Sequence, residues 1–411
     1  MKLVTDSAWN FLSLVIPAVV ALPVFAWIAR LVGIELFGIF TLSFAIAGYA
    51  SIFDLGLSRA LIREVAINRD NLNVVNTFIN TATVLILLLS IIASLTVFFS
   101  SHLIIDFINV SSAYRNDAIN GIQLLALCLP PMLITQVWLS YFEGLERFAH
   151  LSYFKVFSSL STVLLPFALA LYYPSFTMLV LGLVIARFLA FIASALWVTK
   201  YIKIKPDINW RYATQLFKFG SWLTVSSVIG PIMVYFDRFI LSSMIGAKQV
   251  AFYTAPSELV LRLITLPGAV TRTLFPNFSA NNAIDNAKVY KLSIIALGIS
   301  ATLIALPIFI FAEDILILWM GAEFVGEPKW VLRILVIGFV VNAMAQVPFT
   351  QLQAKGFSKV PAIVLMCEVL PYLLALYWLT KNYGLVGAAS AWTIRVILDT
   401  FIFFALNQKF K

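Results

Sequence analysis

The chain has 411 residues, 62% of them hydrophobic and 11% charged, with a net charge of +9. A soluble domain carries about 25% charged residues, so this composition excludes a soluble enzyme, a nucleic-acid binder and a disordered chain. The roughly 255 apolar residues leave room for about twelve membrane-crossing helices of about 20 residues each.

The chain opens on Met1-Lys2-Leu3, and no short apolar region with a small-residue cleavage site follows. The first apolar stretch is therefore read as a transmembrane helix, not a signal peptide. Charge-free windows mark the spans. The first is 7–29, the second 36–53, the third lies within 71–101 and the fourth is 118–142. The window 156–186 is too long for one crossing, and Tyr172-Tyr173-Pro174-Ser175 breaks it into a hairpin, because proline cannot continue a helix and aromatic pairs favour the interface. Span six then ends near Thr199. The most basic loop, 200–211, divides the chain near its midpoint into six-helix lobes 1–205 and 206–411. Spans seven to twelve start near Tyr212, Gln249, Lys288, Lys329, Val360 and Gly384. The predicted fold class is an all-α integral membrane protein, because backbone groups in lipid must be satisfied within each segment and the alternating strands of a barrel are absent.

Sorting the lysines and arginines with the N-terminus inside puts 18 on the cytoplasmic side and 7 outside, with Arg187, Arg262 and Arg395 left in the membrane. The positive-inside rule then places both termini in the cytoplasm. Cys128 and Cys367 lie in apolar runs, so no disulfide framework is expected. His102 and His150 show no metal-ligand spacing. No metal and no cofactor is expected.

Sliding the chain over itself by 213 residues aligns Trp9 with Trp222, Gly33 with Gly246, Thr41 with Thr254 and Arg59 with Arg272. Arg187 aligns with Arg395 after a short insertion. Six spans per half would make this a parallel repeat about an axis along the membrane normal.

Three motifs then stand out. Ile52-Phe-Asp-Leu-Gly-Leu-Ser-Arg-Ala-Leu-Ile-Arg-Glu-Val-Ala66 resembles the segment after the second span of Wzx-type O-antigen and exopolysaccharide flippases. These belong to the multidrug/oligosaccharidyl-lipid/polysaccharide exporter superfamily. Phe236-Asp-Arg-Phe-Ile-Leu-Ser-Ser-Met-Ile-Gly246, followed by Ala251-Phe-Tyr253, is similar to that family's seventh-to-eighth-span signature. Tyr383-Gly-Leu-Val-Gly-Ala-Ala389 is similar to its twelfth-span entry. The resemblance covers the whole chain. It implies two six-helix bundles around a cavity that opens alternately to each side of the inner membrane. It implies an undecaprenyl-pyrophosphate-linked oligosaccharide as substrate, membrane lipids as surroundings, and a polysaccharide polymerase and chain-length regulator as candidate partners. Drug extruders of the same superfamily share twelve spans and stay open as an alternative.

A charge at the bilayer centre costs about 2.5–3.5 kcal/mol, so each intramembrane charge needs a reason. Arg262 lies mid-way along span eight, where a guanidinium fork could grip the substrate's pyrophosphate. Glu258, four residues earlier on the same face, could instead neutralise it. Arg395 and Asp399 repeat that spacing in span twelve and read as a structural pair. Arg187 has no acid within one turn and reads as a scaffold charge. Glu368 is an isolated acid in span eleven, either protonated and hydrogen-bonded or a proton-coupling site. Arg59 and Arg272, with Asp54 one turn before Arg59, could form a basic cytoplasmic entrance, or simple interfacial anchors. Arg30 and Asp237-Arg238 are assigned to the outer ends of spans one and seven, as a gate or as anchors. Pro17 and Pro23 in span one, Pro231 in span seven, and Pro256 and Pro267 in span eight are candidate hinges. No Walker loop, Ser/His/Asp set or large catalytic loop appears, so the sequence reads as a transporter with no catalytic residues, not a membrane glycosyltransferase.

Overall fold

The computed structural model describes residues 2–279, 283–357 and 359–409, and no strand occurs among them. The helices are α1 Lys2–Val32, α2 Ile34–Ala50, α3 Leu57–Ile67, α4 Leu72–Phe99, α5 Ser101–Phe107, α6 Arg115–Ala126, α7 Leu129–Gly144, α8 Phe148–Tyr172 and α9 Phe176–Val198. They continue with α10 Trp210–Ile245, α11 Ala247–Ser279, α12 Ala283–Ile310, α13 Ala312–Met320, α14 Glu327–Ala354 and α15 Lys359–Lys409. Nine segments of the described residues are long and apolar enough to cross a membrane. The expected seventh and eighth spans, α10 and α11, are not among these nine. They are 36 and 33 residues long, and they carry Asp237, Arg238, Glu258 and Arg262.

Three local breaks depart from the simple span reading. Past α2, one 3-10 turn (Ser51–Asp54) leads into left-handed Leu55 (φ 47°) and Gly56 (φ 71°). That reversal starts α3 as a separate amphipathic helix, with Leu57, Leu61 and Val65 buried and Arg59 and Arg63 exposed. The expected fourth span is one 30-residue apolar segment, Arg115–Gly144, divided into α6 and α7 by a turn at Leu127-Cys128. Pro130 and Pro131 follow there, and proline in the first turn needs no intrahelical N–H partner. Spans eleven and twelve run together as α15, broken only at Gly384 (φ 56°, ψ −132°), a conformation open to glycine.

Contacts divide the chain into two compact units, Met1–Phe236 and Asp237–Lys411. In the first, α4, α7 and α9 surround a core of Phe78, Ile79, Ile86, Leu133, Val137, Trp138 and Phe142. Lipid tails are as apolar as these side chains, so close packing supplies the cohesion. The α8–α9 hairpin turns at Tyr173-Pro174-Ser175, as the sequence predicts. Along it, a Cβ added at Gly182 would run into the backbone of Leu165 and Pro166. Gly182→Val is therefore expected to destabilise the first unit by about 1–3 kcal/mol or more, measurable as a lowered unfolding temperature in detergent.

The segment between α9 and α10 is fastened to the first unit. Asn80 donates to the Lys203 carbonyl (3.2 Å) and accepts from the Lys205 N–H (3.0 Å). The Asn209 N–H donates to Thr81 Oγ1 (3.1 Å), and Gln215 donates to the buried Glu64 (2.9 Å). Ile202, Ala213 and Leu216 join the core around Phe78. The contact boundary accordingly falls inside α10, beyond the basic loop.

In the second unit α14 packs against α11, α12 and α15. Lys329 donates to Glu313 (2.9 Å), as does the Gly326 N–H (3.3 Å). The Lys329 ammonium, then that N–H, holds the Glu313 carboxyl below the usual carboxylate range. With the folded value depressed, the clasp between α13 and α14 is complete at neutral pH and loosens only as pH falls through that lowered value.

Candidate functional site

The intramembrane charges of the sequence converge mostly in the second unit. Asp237 and Arg238 on α10 are 6% and 1% exposed. They are buried and bond across to α11, where the sequence offers them as a gate or an anchor at the end of span seven. The Tyr253 hydroxyl donates to Asp237 Oδ2 at 2.5 Å. Asp237 Oδ1 accepts the N–H of Arg238 at 2.7 Å.

Glu258 on α11 then faces two guanidiniums. Its Oε1 accepts from Arg238 Nη2 at 2.9 Å, and its Oε2 lies 3.4 Å from Arg262 Nη2. The two partners differ sharply in setting. The Arg238 side chain is 2% exposed and the Arg262 side chain 37%. Leaving a buried charge without its partner costs about 3–5 kcal/mol. Breaking an exposed i,i+4 pair costs about 0.3–0.5 kcal/mol. The carboxylate therefore belongs to Arg238, and Arg262 carries the surplus positive charge. Both of the sequence's readings of Arg262 survive in this geometry, because its pairing with Glu258 is real but weak.

On α15, Arg395 Nε lies 3.7 Å from Asp399 Oδ2, and its guanidinium sits 5.1 Å from the centre of the Tyr372 ring. Glu368 lies beside Asp399 and Arg395. Both Glu368 oxygens are buried without a hydrogen-bond partner among the described residues. Arg395 also acts electrostatically on Asp237.

The remaining candidates lie elsewhere. Asp54 is buried and accepts from the Ser58 hydroxyl (2.7 Å) and N–H (3.3 Å), which fixes the first turn of α3. Arg59 is exposed one residue further on. Arg30 is exposed in the last turn of α1, where the helix dipole favours a cation. Arg187 is half-buried on α9 near Cys128, and no carboxylate among the described residues pairs with it. Pro17 and Pro23 sit inside α1, and Pro256 and Pro267 inside α11, without breaking either helix. Arg272 and Pro231 lie outside the residues whose side chains are described. Tyr253 and Tyr372, which bind Asp237 and stack under Arg395, are missed by a search for charges alone. Tyr372 was findable, four residues after Glu368 on one helix face.

Residues 3–282 match the family model described as polysaccharide biosynthesis protein. A "Putative O-antigen transporter" of Shigella flexneri is 38% identical over 98% of this chain and 97% of its own length. The chain belongs to the polysaccharide biosynthesis protein family. Among solved structures, a lipid II flippase in its inward closed conformation superposes with a TM-score of 0.81 at 14% identity, covering 98% of this chain and 87% of that one. An inward-facing multidrug resistance MATE family transporter of the MOP superfamily superposes at 0.79 with 16% identity, over 94% and 93% of the two chains. At those identities the likeness is one of fold. Family and fold are those of multi-pass membrane transporters, not of catalytic enzymes.

Proposed function

We propose that this protein is a flippase that moves an undecaprenyl-pyrophosphate-linked oligosaccharide, such as an O-antigen repeat unit, from the cytoplasmic to the outer leaflet of a bacterial inner membrane. The observation that carries this reading is the 38% identity, end to end, to the Shigella flexneri protein named as an O-antigen transporter. The charge arrangement supports it. Arg262 is a partly exposed cation whose one close carboxylate among the described residues also binds Arg238, and a guanidinium fork suits a pyrophosphate.

In this reading twelve spans form two repeat-related lobes, 1–205 and 206–411, with both termini cytoplasmic, and transport runs by alternating access. Arg262 grips the pyrophosphate. Arg59, Arg272 and Arg30 add positive charge along the route. Glu258, Asp54, Glu368, Asp237 and Arg238 couple or gate the cycle. Arg187, Arg395 and Asp399 shape the interior, and Pro17, Pro231 and Pro256 serve as hinges. A polysaccharide polymerase and a chain-length regulator are the protein partners it would work beside. The alternative, a cation-coupled drug antiporter, calls for acids free to take up a cation. Glu258 and Asp399 are both ion-paired to arginine, which favours the anionic substrate; Glu368, whose oxygens have no hydrogen-bond partner among the described residues, is the acid that the alternative would use.

A strain lacking this gene, complemented with wild type or Arg262→Ala, tests the reading. The expected result is loss of surface glycan, by about tenfold or more for a bidentate charged contact, with lipid-linked oligosaccharide accumulating in the cell. Normal export by an Arg262→Ala protein made at normal levels would sink the role of that residue.

A further inference from the structure

We propose that Arg238 is a positioning residue that holds Glu258 away from Arg262 and so keeps the Arg262 guanidinium available to a diphosphate. This rests on the reading of Arg262 given above. Two guanidiniums share one carboxylate, and the three groups together carry a net charge of +1. Arg262 is the more exposed of the two guanidiniums. Arg238, with its side chain 2% exposed, cannot touch a substrate, while Arg262 at 37% can. The distances assign the carboxylate in the same sense, 2.9 Å to Arg238 against 3.4 Å to Arg262.

Asp237 sits at the Arg238 end of this group, its oxygens accepting the Tyr253 hydroxyl and the Arg238 N–H. Once the Arg238 charge is gone, Glu258 retains among the described residues one guanidinium neighbour, Arg262, one helical turn away on the same face. That pair then closes and the surplus cation disappears. Arg238 thus sets the affinity for a diphosphate from a place no diphosphate can reach.

Purified protein in detergent, titrated calorimetrically with inorganic pyrophosphate, tests this. The variants are Arg238→Met, Arg238→Met/Glu258→Gln and Arg262→Gln, with the unfolding temperature of each recorded. Arg238→Met is expected to weaken pyrophosphate binding about tenfold, the size of one charge-assisted contact. The double variant removes both buried charges together, a change the fold tolerates better than either alone. With no acid left to compete for Arg262, it should bind pyrophosphate at least as tightly as wild type, by about threefold. A merely structural role for Arg238 would give no such rescue at equal unfolding temperature. A folded double variant that binds more weakly than wild type overturns the proposal, as does a folded Arg238→Met protein that binds as tightly. Should Arg238→Met not fold, the double variant decides alone. Wild-type binding by Arg262→Gln would overturn the reading of Arg262 itself, and this proposal with it, independently of the other two variants.

Discussion

Glutamine in place of Glu258 is expected to destabilise the second unit by about 3–5 kcal/mol, the cost of leaving a buried guanidinium without its counter-charge. Arg238 donates to that carboxylate at 2.9 Å from a site where its side chain is 2% exposed. Arg262 contributes little to this loss, since its contact is longer and more exposed. The check is unfolding of the purified protein in detergent, followed by tryptophan fluorescence. Adding Arg238→Met to Glu258→Gln should return most of the loss, because a neutral pair of similar volume replaces the ions. A loss under about 1 kcal/mol for the single change would show that Glu258 is not what compensates Arg238.

Asp117→Ala should destabilise the first unit by roughly 3 kcal/mol, for several hydrogen bonds to one charge. The Asp117 carboxylate accepts the Phe176 N–H (2.8 Å), the Thr177 N–H (3.1 Å) and the Thr177 hydroxyl (2.6 Å). Ser175 accepts the next one, from Met178, at 3.2 Å. Together they occupy donors of the first turn of α9, which have no partner inside the helix, and the negative charge suits that end of the dipole. Asp117→Asn keeps one acceptor oxygen and should lose about half as much. Amide hydrogen exchange at Phe176 and Thr177 reads the effect directly: faster exchange in Asp117→Ala is expected, and unchanged protection would show that the fold holds this turn by other means.

Much of the fold could be read from composition, because a bilayer allows so few solutions. Uninterrupted apolar windows gave the helices, and Tyr173-Pro174 gave the hairpin between α8 and α9. The breaks were harder. Residues 118–142 carry no charge, and only Pro130-Pro131 hints that α6 and α7 are separate. The helix α3 is visible as a motif, yet its independence from α2 comes from left-handed Leu55, a residue with no intrinsic preference for that conformation.

The site divided in the same way. Pairs four residues apart on one helix, Glu258 with Arg262 and Arg395 with Asp399, were legible because helical geometry alone brings them together. The pairing of Arg238 with Glu258 spans 20 residues and two helices, and nothing in local spacing announces it. Placed by loop counting, Asp237 and Arg238 looked like the charged end of a span. Their burial follows from partners that periodicity cannot reveal.

The fastening of residues 203–215 to Asn80, Thr81 and Glu64 bears on the order in which the protein is made. These groups wait for partners that leave the ribosome more than 120 residues later. A nascent chain ending at 205 would still lack the Asn209 and Gln215 contacts, along with Ala213 and Leu216 of the core. The first unit is therefore finished only after synthesis has entered α10, and a first half produced by itself should extend to Phe236.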